Sequence, residues 1–251
     1  MSELYEALAP LYAELNGDVP YERMAKYVQK CFSSCFSGEV KDVLDLGCGS
    51  GNMTFPLLAL GYSMIGVDTS ESMLAEARDQ TRGDEVLWLC QDMRSFELYG
   101  TVEGVVCTLD GINHLLKRKD VLSCFSLVHN YLVPNGIFVF DVNSPYKFKN
   151  VYANNTYVLE SESTFCAWQN FFDQKSGRCH FAVDLFEKTG NGLYDRKSAD
   201  REEQMYTERT IRTLLAQTGF TVISVTDDYT DDAPTETTER LTFVARANKE
   251  M

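Results

Sequence analysis

The residues best suited to chemistry are glycines and acids grouped at the ends of short β-rich runs. The first group is Asp45-Leu46-Gly47-Cys48-Gly49-Ser50-Gly51. A branched, apolar run over 43–46 leads straight into it, and apolar residues at helical spacing follow. Glycines at such a turn let the backbone come close to a ligand, and the next helix offers unpaired N–H groups. A dinucleotide-binding turn places its third glycine five residues after the first, where this chain has Asn52. No Lys-Ser/Thr pair follows the glycines, which excludes a nucleotide triphosphate loop.

Two further acids sit at equivalent places. Asp68 ends the second run, in Gly66-Val67-Asp68-Thr69-Ser70, where a carboxylate can accept both hydroxyls of a ribose. Asp92 follows the third run, in Gln91-Asp92-Met93, and suits the amino group of an adenine. Either acid alone could cap a helix, although Ser70 is a better cap than Asp68. Acids on three successive strands are harder to credit to capping. An acidic, glycine-bearing rim without a lysine suits a ligand with a ribose, an adenine and a cationic centre but no phosphate, which describes S-adenosylmethionine better than NAD.

The elements that must position these residues alternate. Runs at 43–46, 63–67, 86–89, 102–109 and 136–140 have the composition of strands, and 53–60, 70–80 and 120–132 have helical spacing. Alternation of this kind gives parallel strands joined by right-handed crossovers, an α/β doubly wound sheet of Rossmann-like type. Ligands then bind beyond the carboxyl ends of the strands. Residues 3–32 look helical, with a break at Asp18-Val19-Pro20. Over 156–206 apolar and polar residues alternate, with turn signals at Ser176-Gly177 and Gly190-Asn191-Gly192, which predicts a small inserted antiparallel sheet. Helical spacing returns over 208–217, with Gly219 as its cap, and 220–226 and 241–246 supply the last strands. The reading is a single domain, 1–251: a helical lid over 1–38, a cofactor core over 39–145, the insertion over 152–206, and a return to the core sheet over 207–251.

Three segments carry the resemblance to a family. The run 43–51 resembles the first motif of class I S-adenosylmethionine-dependent methyltransferases. Gly66-Val67-Asp68-Thr69-Ser70-Glu71-Ser72-Met73-Leu74 resembles their ribose motif, and Gln91-Asp92-Met93-Arg94 their adenine motif. Asp18-Val19-Pro20-Tyr21, the run 140–147 and the run 232–240 resemble a bacterial branch of small uncharacterised methyltransferases that carries an inserted sheet. The resemblance implies a seven-stranded sheet whose last strand is antiparallel, and S-adenosyl-L-methionine as cofactor. It implies cofactor contacts at Asp45, Gly47, Cys48, Gly49, Asp68, Thr69, Met73, Gln91, Asp92, Met93 and Leu109, with Tyr12 and Tyr21 closing over the amino acid end.

Methyl transfer needs alignment and exclusion of water, and a base only when the acceptor must first lose a proton. The candidates follow the fourth strand, in Leu109-Asp110-Gly111-Ile112-Asn113-His114. The branch has Asp-Ser-x-Asn-Tyr there, so Gly111 and His114 depart from it. His114 reads either as a general base near neutral pH or as a surface or capping histidine. Asp110 and Asn113 would shape the floor between cofactor and acceptor. Tyr146 is expected at the mouth of the acceptor pocket. Trp168, with Phe171 and Phe172, either roofs that pocket or forms the insertion's own core.

Composition narrows the acceptor. The formal charge of −14 disfavours a nucleic-acid partner, and the basic residues are scattered apart from Lys117-Arg118-Lys119. A small-molecule acceptor is the leading expectation; an RNA or protein methyltransferase and a catalytically silent S-adenosylmethionine-binding protein are the alternatives. No run approaches the ~18 apolar residues of a membrane span. The first residues lack a signal peptide's pattern, so a cytoplasmic protein is expected. The eight cysteines contain no Cys-x-x-Cys pair and read as reduced, mostly buried thiols. Three histidines without paired spacing give no expectation of a metal site. The Asp227-Asp228 and Asp231-Asp232 pairs read as a solvated acidic hairpin.

If Asp68 holds the ribose, Asp68→Ala should weaken S-adenosylmethionine binding by about 1–3 kcal/mol. Calorimetry checks this, and unchanged affinity in a folded variant would remove Asp68 from the site.

Overall fold

The computed structural model describes residues 19–80, 85–160 and 163–249. In chain order its elements are α1 (Tyr21–Cys35), β1 (Asp42–Leu46), α2 (Thr54–Ala59), β2 (Ser63–Asp68), α3 (Glu71–Gln80), β3 (Val86–Cys90) and β4 (Val102–Cys107). A 3₁₀ turn (Gly111–His114), α4 (Arg118–Tyr131), β5 (Leu132–Asn143) and a π-helical turn (Lys147–Tyr152) follow. The rest comprises β6 (Thr156–Glu160), β7 (Thr164–Asp173), β8 (Arg178–Lys188), β9 (Tyr194–Gln204), α5 (Glu208–Gln217), β10 (Phe220–Asp227) and β11 (Arg240–Ala247).

The main sheet has seven strands in the order β10-β11-β5-β4-β1-β2-β3. β11 runs antiparallel to both β5 and β10, while β1 to β5 pair in parallel. The order reverses at β1, so the ends of β1 and β4 open a crevice on the carboxyl side. β6, β7, β8 and β9 form a separate antiparallel sheet.

Strand alternation builds two cores. Leu44, Phe138, Phe140 and Phe243 point to the layer containing Phe125 of α4 and Ile211 of α5. Val43, Ile137, Val139 and Val244 point to the layer of α1 and α2, with Val28, Phe32 and Leu57. Successive residues serving opposite layers is the pattern of a sheet covered on both faces. Phe140 stacks on Phe138 at 4.5 Å and on Phe243 at 5.1 Å, tying β5 to β11. None of the helices in the described residues is long and apolar enough to cross a membrane.

Three local expectations change. The fourth strand stops at Cys107 rather than at 109, because Leu109 and Asp110 both take positive φ, 54° and 61°. β5 begins at Leu132, earlier than expected, because its register slips around left-handed Asn135: Val102 pairs with Leu132 but Gly104 with Ile137. The acidic β10–β11 hairpin is not merely solvated. Asp228 and Asp231 pair with Arg23 and Lys30 of α1, at 3.4 and 2.5 Å.

A close approach seats α1. A Cβ on Gly104 would lie 2.6 Å from the Phe32 ring. Gly104→Ala should therefore cost about 1–3 kcal/mol through overpacking. Urea unfolding measures the loss, and an unchanged midpoint would mean that Phe32 does not press on β4.

Candidate cofactor and acceptor cleft

The loop after β1 is built for close approach. Gly47, Gly49 and Gly51 have φ of 78°, 53° and 85°, which side-chain-bearing residues rarely adopt. Gly47 N and Cys48 N donate to Val67 O at 2.7 and 3.1 Å, and the Asp68 carboxylate accepts Gly49 N at 2.9 Å and Ser70 N at 2.8 Å. Asp68 thus braces the loop while lining the cleft. The nearest atoms to a Cβ on Gly47 or Gly49 would be the methyls of Met93 and Met73, at 3.4 and 3.2 Å.

Asp45 lies beneath the loop, 1% exposed, and accepts Thr54 Oγ1 at 2.6 Å. Burial pushes its carboxyl up to about 7, opposed by the Thr54 hydrogen bond and aided by the nearby Asp68 charge. At the adenine motif, Arg94 donates to Asp92 from its backbone N at 2.8 Å and from its guanidinium. The Arg94 hydrogen bond is the first cause that holds the Asp92 carboxyl below its ordinary range. The pair is half exposed, so it fixes geometry more than it stabilises.

The turn after β4 depends on Asp141, a wholly buried residue of β5. Asp141 accepts Leu109 N at 2.7 Å, Asp110 N at 2.9 Å and the Tyr229 hydroxyl at 2.5 Å, and it pairs with Arg240. Arg240 also faces Asp110 at 3.4 Å and Asp228 at 3.6 Å. His114 Nε2 lies 3.8 Å from Asp110 Oδ2. Burial, then Arg201, pushes the His114 ring down to about 4 against the pull of Asp110, which leaves it neutral at neutral pH.

These elements line a cleft of about 720 Å³. Of the expected cofactor residues, Tyr21, Asp45, Gly47, Cys48, Gly49, Asp68, Thr69, Met73, Asp92, Met93 and Leu109 line it, and so does His114. Tyr12 lies outside the described residues. Gln91 does not line the cavity, because its amide is turned to Glu97, accepting N at 2.7 Å and donating to O at 3.4 Å. Asn113 is likewise turned away: its Oδ1 accepts Asn143 N at 2.9 Å and its Nδ2 donates to Gln204 O at 2.9 Å. Asp110 faces Arg240 and His114 behind the wall. Tyr146 starts the π-helical turn and Trp168 sits in the second sheet's aromatic cluster, both off the cavity lining. The second sheet contributes His180, Asp200, Arg201 and Glu202 instead.

Asp141, Arg240, Arg201 and Glu203 were not singled out in the sequence. A usable signal existed in part: Asp141 is a charged residue in an otherwise apolar strand run. Asp110, His114 and Glu203 bring one polar atom each to within 4.8 Å of one another, a grouping that sequence spacing does not reveal. Arg240, Arg201 and Lys147 set three basic groups against the acids Asp110, Asp141 and Glu203.

A seven-stranded sheet of this order, with a glycine loop after β1 and acids after β2 and β3, defines a class I S-adenosylmethionine-dependent methyltransferase. Residues 43–136 match the family model described as a methyltransferase domain. The Bacillus subtilis protein YqeM, named as a methyltransferase, is 31% identical over 248 residues and 98% of both chains. A similarly named protein of Geobacillus sp. strain WCH70 is 30% identical over 96% of this chain and 99% of its own. An S-adenosylmethionine-dependent methyltransferase structure from Clostridium acetobutylicum superposes with TM-score 0.87 and 28% identity, over 98% of this chain and 100% of its own. The chain belongs to the S-adenosylmethionine-dependent methyltransferases, and S-adenosylmethionine is its cofactor. The cleft fits that cofactor: the loop glycines admit close approach, and the acids suit a cationic ligand without phosphate.

Asp45 yields a pH signature. Its raised folded pKa means that its contribution to stability is present below the unfolded value, near pH 4, and is lost as pH rises towards about 7. The stability difference should therefore move in favour of Asp45→Asn across that window, by at most about 1.4 kcal/mol per pH unit. Thermal melts of both proteins test this, and a pH-independent difference would contradict it.

Proposed function

We propose that this methyltransferase acts on a small molecule, transferring the methyl group in line to nitrogen, oxygen or carbon. The observation that carries the reading is the cleft itself. Its volume of about 720 Å³ must hold the cofactor as well, and sites for small molecules span roughly 300–1,000 Å³, so the space left suits a small acceptor. Residues of β8 and β9 wall one part of it, so the cleft is bordered by both sheets. On that lining Asp120, Asp200 and Glu202 stand beside Lys117 and Arg201, a small acidic excess that favours a neutral or cationic acceptor. The net charge of −14 argues in the same direction against a polyanion.

In this reading Gly47 to Gly49 approach the methionine part of the cofactor, Asp68 holds the ribose, and Asp92 with Met93 frames the adenine. Met73 packs on the adenine's other side, and Tyr21, at the start of α1, closes over the amino acid end. Leu109 separates cofactor from acceptor, and His114 faces the acceptor as a neutral ring. Of the expected lid over 1–38, residues 1–18 lie outside the described residues and α1 forms most of the rest, while the insertion over 152–206 covers the acceptor side.

The test is to incubate the chain with methyl-labelled S-adenosylmethionine and a cell extract, then separate metabolites, RNA and protein. Label in the metabolite fraction is expected. Label confined to RNA or protein would overturn the reading, and no turnover of cofactor would mark a silent binding protein.

A further inference from the structure

Behind the cleft wall lies a group of ionisable side chains that alignment and water exclusion leave unused. Asp110 and His114 come from the turn after β4, and Glu203 from β9 of the second sheet, with one polar atom of each within 4.8 Å of the others. Glu203 is 0% exposed. One of its oxygens accepts Asn143 Nδ2 at 3.1 Å, and the other faces Arg201 at 3.1 Å. His114 and Arg201 line the cleft, so Glu203 sits one side chain deep from it.

The charges around the group are unevenly committed. Arg240 of β11 serves Asp141 and Asp110, and reaches Asp228 as well. Glu203 has Arg201, whose guanidinium lies 5.1 Å from the Trp168 ring centre and 4.8 Å from that of Phe181, and Lys147 more remotely. Lys147 Nζ itself bonds Asn143 Oδ1 at 3.1 Å. The Tyr152 hydroxyl accepts the same Asn143 amide nitrogen, and the Glu202 backbone meets His114. These are the groups that face the His114–Glu203 pair from β5, the π-helical turn, β9 and β11.

We propose that Glu203 is the proton acceptor behind His114, so that a proton released by the methyl acceptor passes to the His114 ring and comes to rest on the Glu203 carboxylate. The proposal rests on the placement of the acceptor beside His114 made above, for acceptors that react at N–H or O–H. The new bond joins the acceptor atom to the methyl carbon. The carbon–sulfur bond breaks with both electrons to sulfur, whose positive charge disappears. The acceptor's proton goes to a His114 ring nitrogen and then, through one bridging water across a gap of up to 4.8 Å, to a Glu203 oxygen. His114 returns to its neutral form and Glu203 becomes a neutral acid. One positive and one negative charge are lost together, which suits a buried site where isolated charge is costly.

The electrostatics agree with that direction of transfer. His114 is pushed down to about 4, while burial and then Asp110 push Glu203 up to about 7. A proton on the ring therefore moves downhill to Glu203. Asp110 is unsuited to the role: burial raises its carboxyl, but Arg240, Arg201, His114 and Lys147 outweigh burial and hold it below the ordinary range.

Carboxyl-carbon and imidazole-nitrogen NMR on the full chain bound to S-adenosylhomocysteine tests this without an acceptor. One glutamate carboxyl should titrate near neutral pH and vanish in Glu203→Gln, and the His114 ring should stay neutral throughout. A Glu203 carboxyl that remains ionised across the neutral range, or a His114 ring that titrates there, overturns the proposal; the wild-type spectra decide even if the variant does not fold. On an amine found by the labelling screen, Glu203→Gln should lower kcat roughly hundredfold with KM unchanged. Equal kcat values would also overturn it. Label in RNA rather than metabolites would remove the acceptor reading but leave the titration as a separate result.

Discussion

A single buried carboxylate holds the two halves of the cleft in register. Asp141 lies near the carboxyl end of β5, beside the central strand β4, and it receives backbone N–H groups from the turn after β4, the Tyr229 hydroxyl and the Arg240 guanidinium. Without an acceptor there, two successive side-chain-bearing residues would have little reason to stay left-handed. Leu109 is thereby presented to the cofactor side, while Asp110 is turned inward to Arg240 and His114. A buried charge is tolerable only when paired and hydrogen-bonded, and Asp141 meets both conditions. Its burial therefore converts chain topology into cleft geometry.

The same logic extends outward in layers. Asp110, Asp141 and Glu203 are balanced by Arg240, Arg201 and Lys147 across the junction of the two sheets. The junction couples the insertion to the core: Asn113 bonds both Asn143 of β5 and Gln204 of β9. Asn143 in turn reaches Glu203. The cofactor half is held differently, by backbone groups gathered on Asp68 and Val67. One half is thus a glycine loop braced by a cleft-lining acid, and the other a buried ionic network at the junction of the two sheets.

The cofactor half was legible in the sequence because it depends on local patterns. A strand, a glycine turn and a helix are consecutive, and an acid at a strand end can be read from a few residues. The doubly wound sheet followed from alternation, its seven strands from the family resemblance, and the insertion from a change of period. The acceptor half was not legible in the same way. Glu203 and His114 are far apart in the chain and meet only because β9 passes the turn after β4. Asn113 carries suitable chemistry for a site, yet its amide is spent on backbone groups, which no spacing rule reports. Trp168 was a reasonable roof by composition, but strand alternation turns it to the aromatic cluster with Phe181. The end of β4 was overextended because Thr108 and Leu109 suit a strand, and only the distant Asp141 breaks it.

The most direct test of this arrangement is a crystal structure of the chain with S-adenosylhomocysteine and its contacts. The arrangement predicts the ribose hydroxyls on Asp68, the adenine beside Asp92 and Met93, and the sulfur facing Leu109 with His114 across the open space beyond it. A ribose held away from Asp68, or a sulfur directed away from the turn after β4, would contradict it.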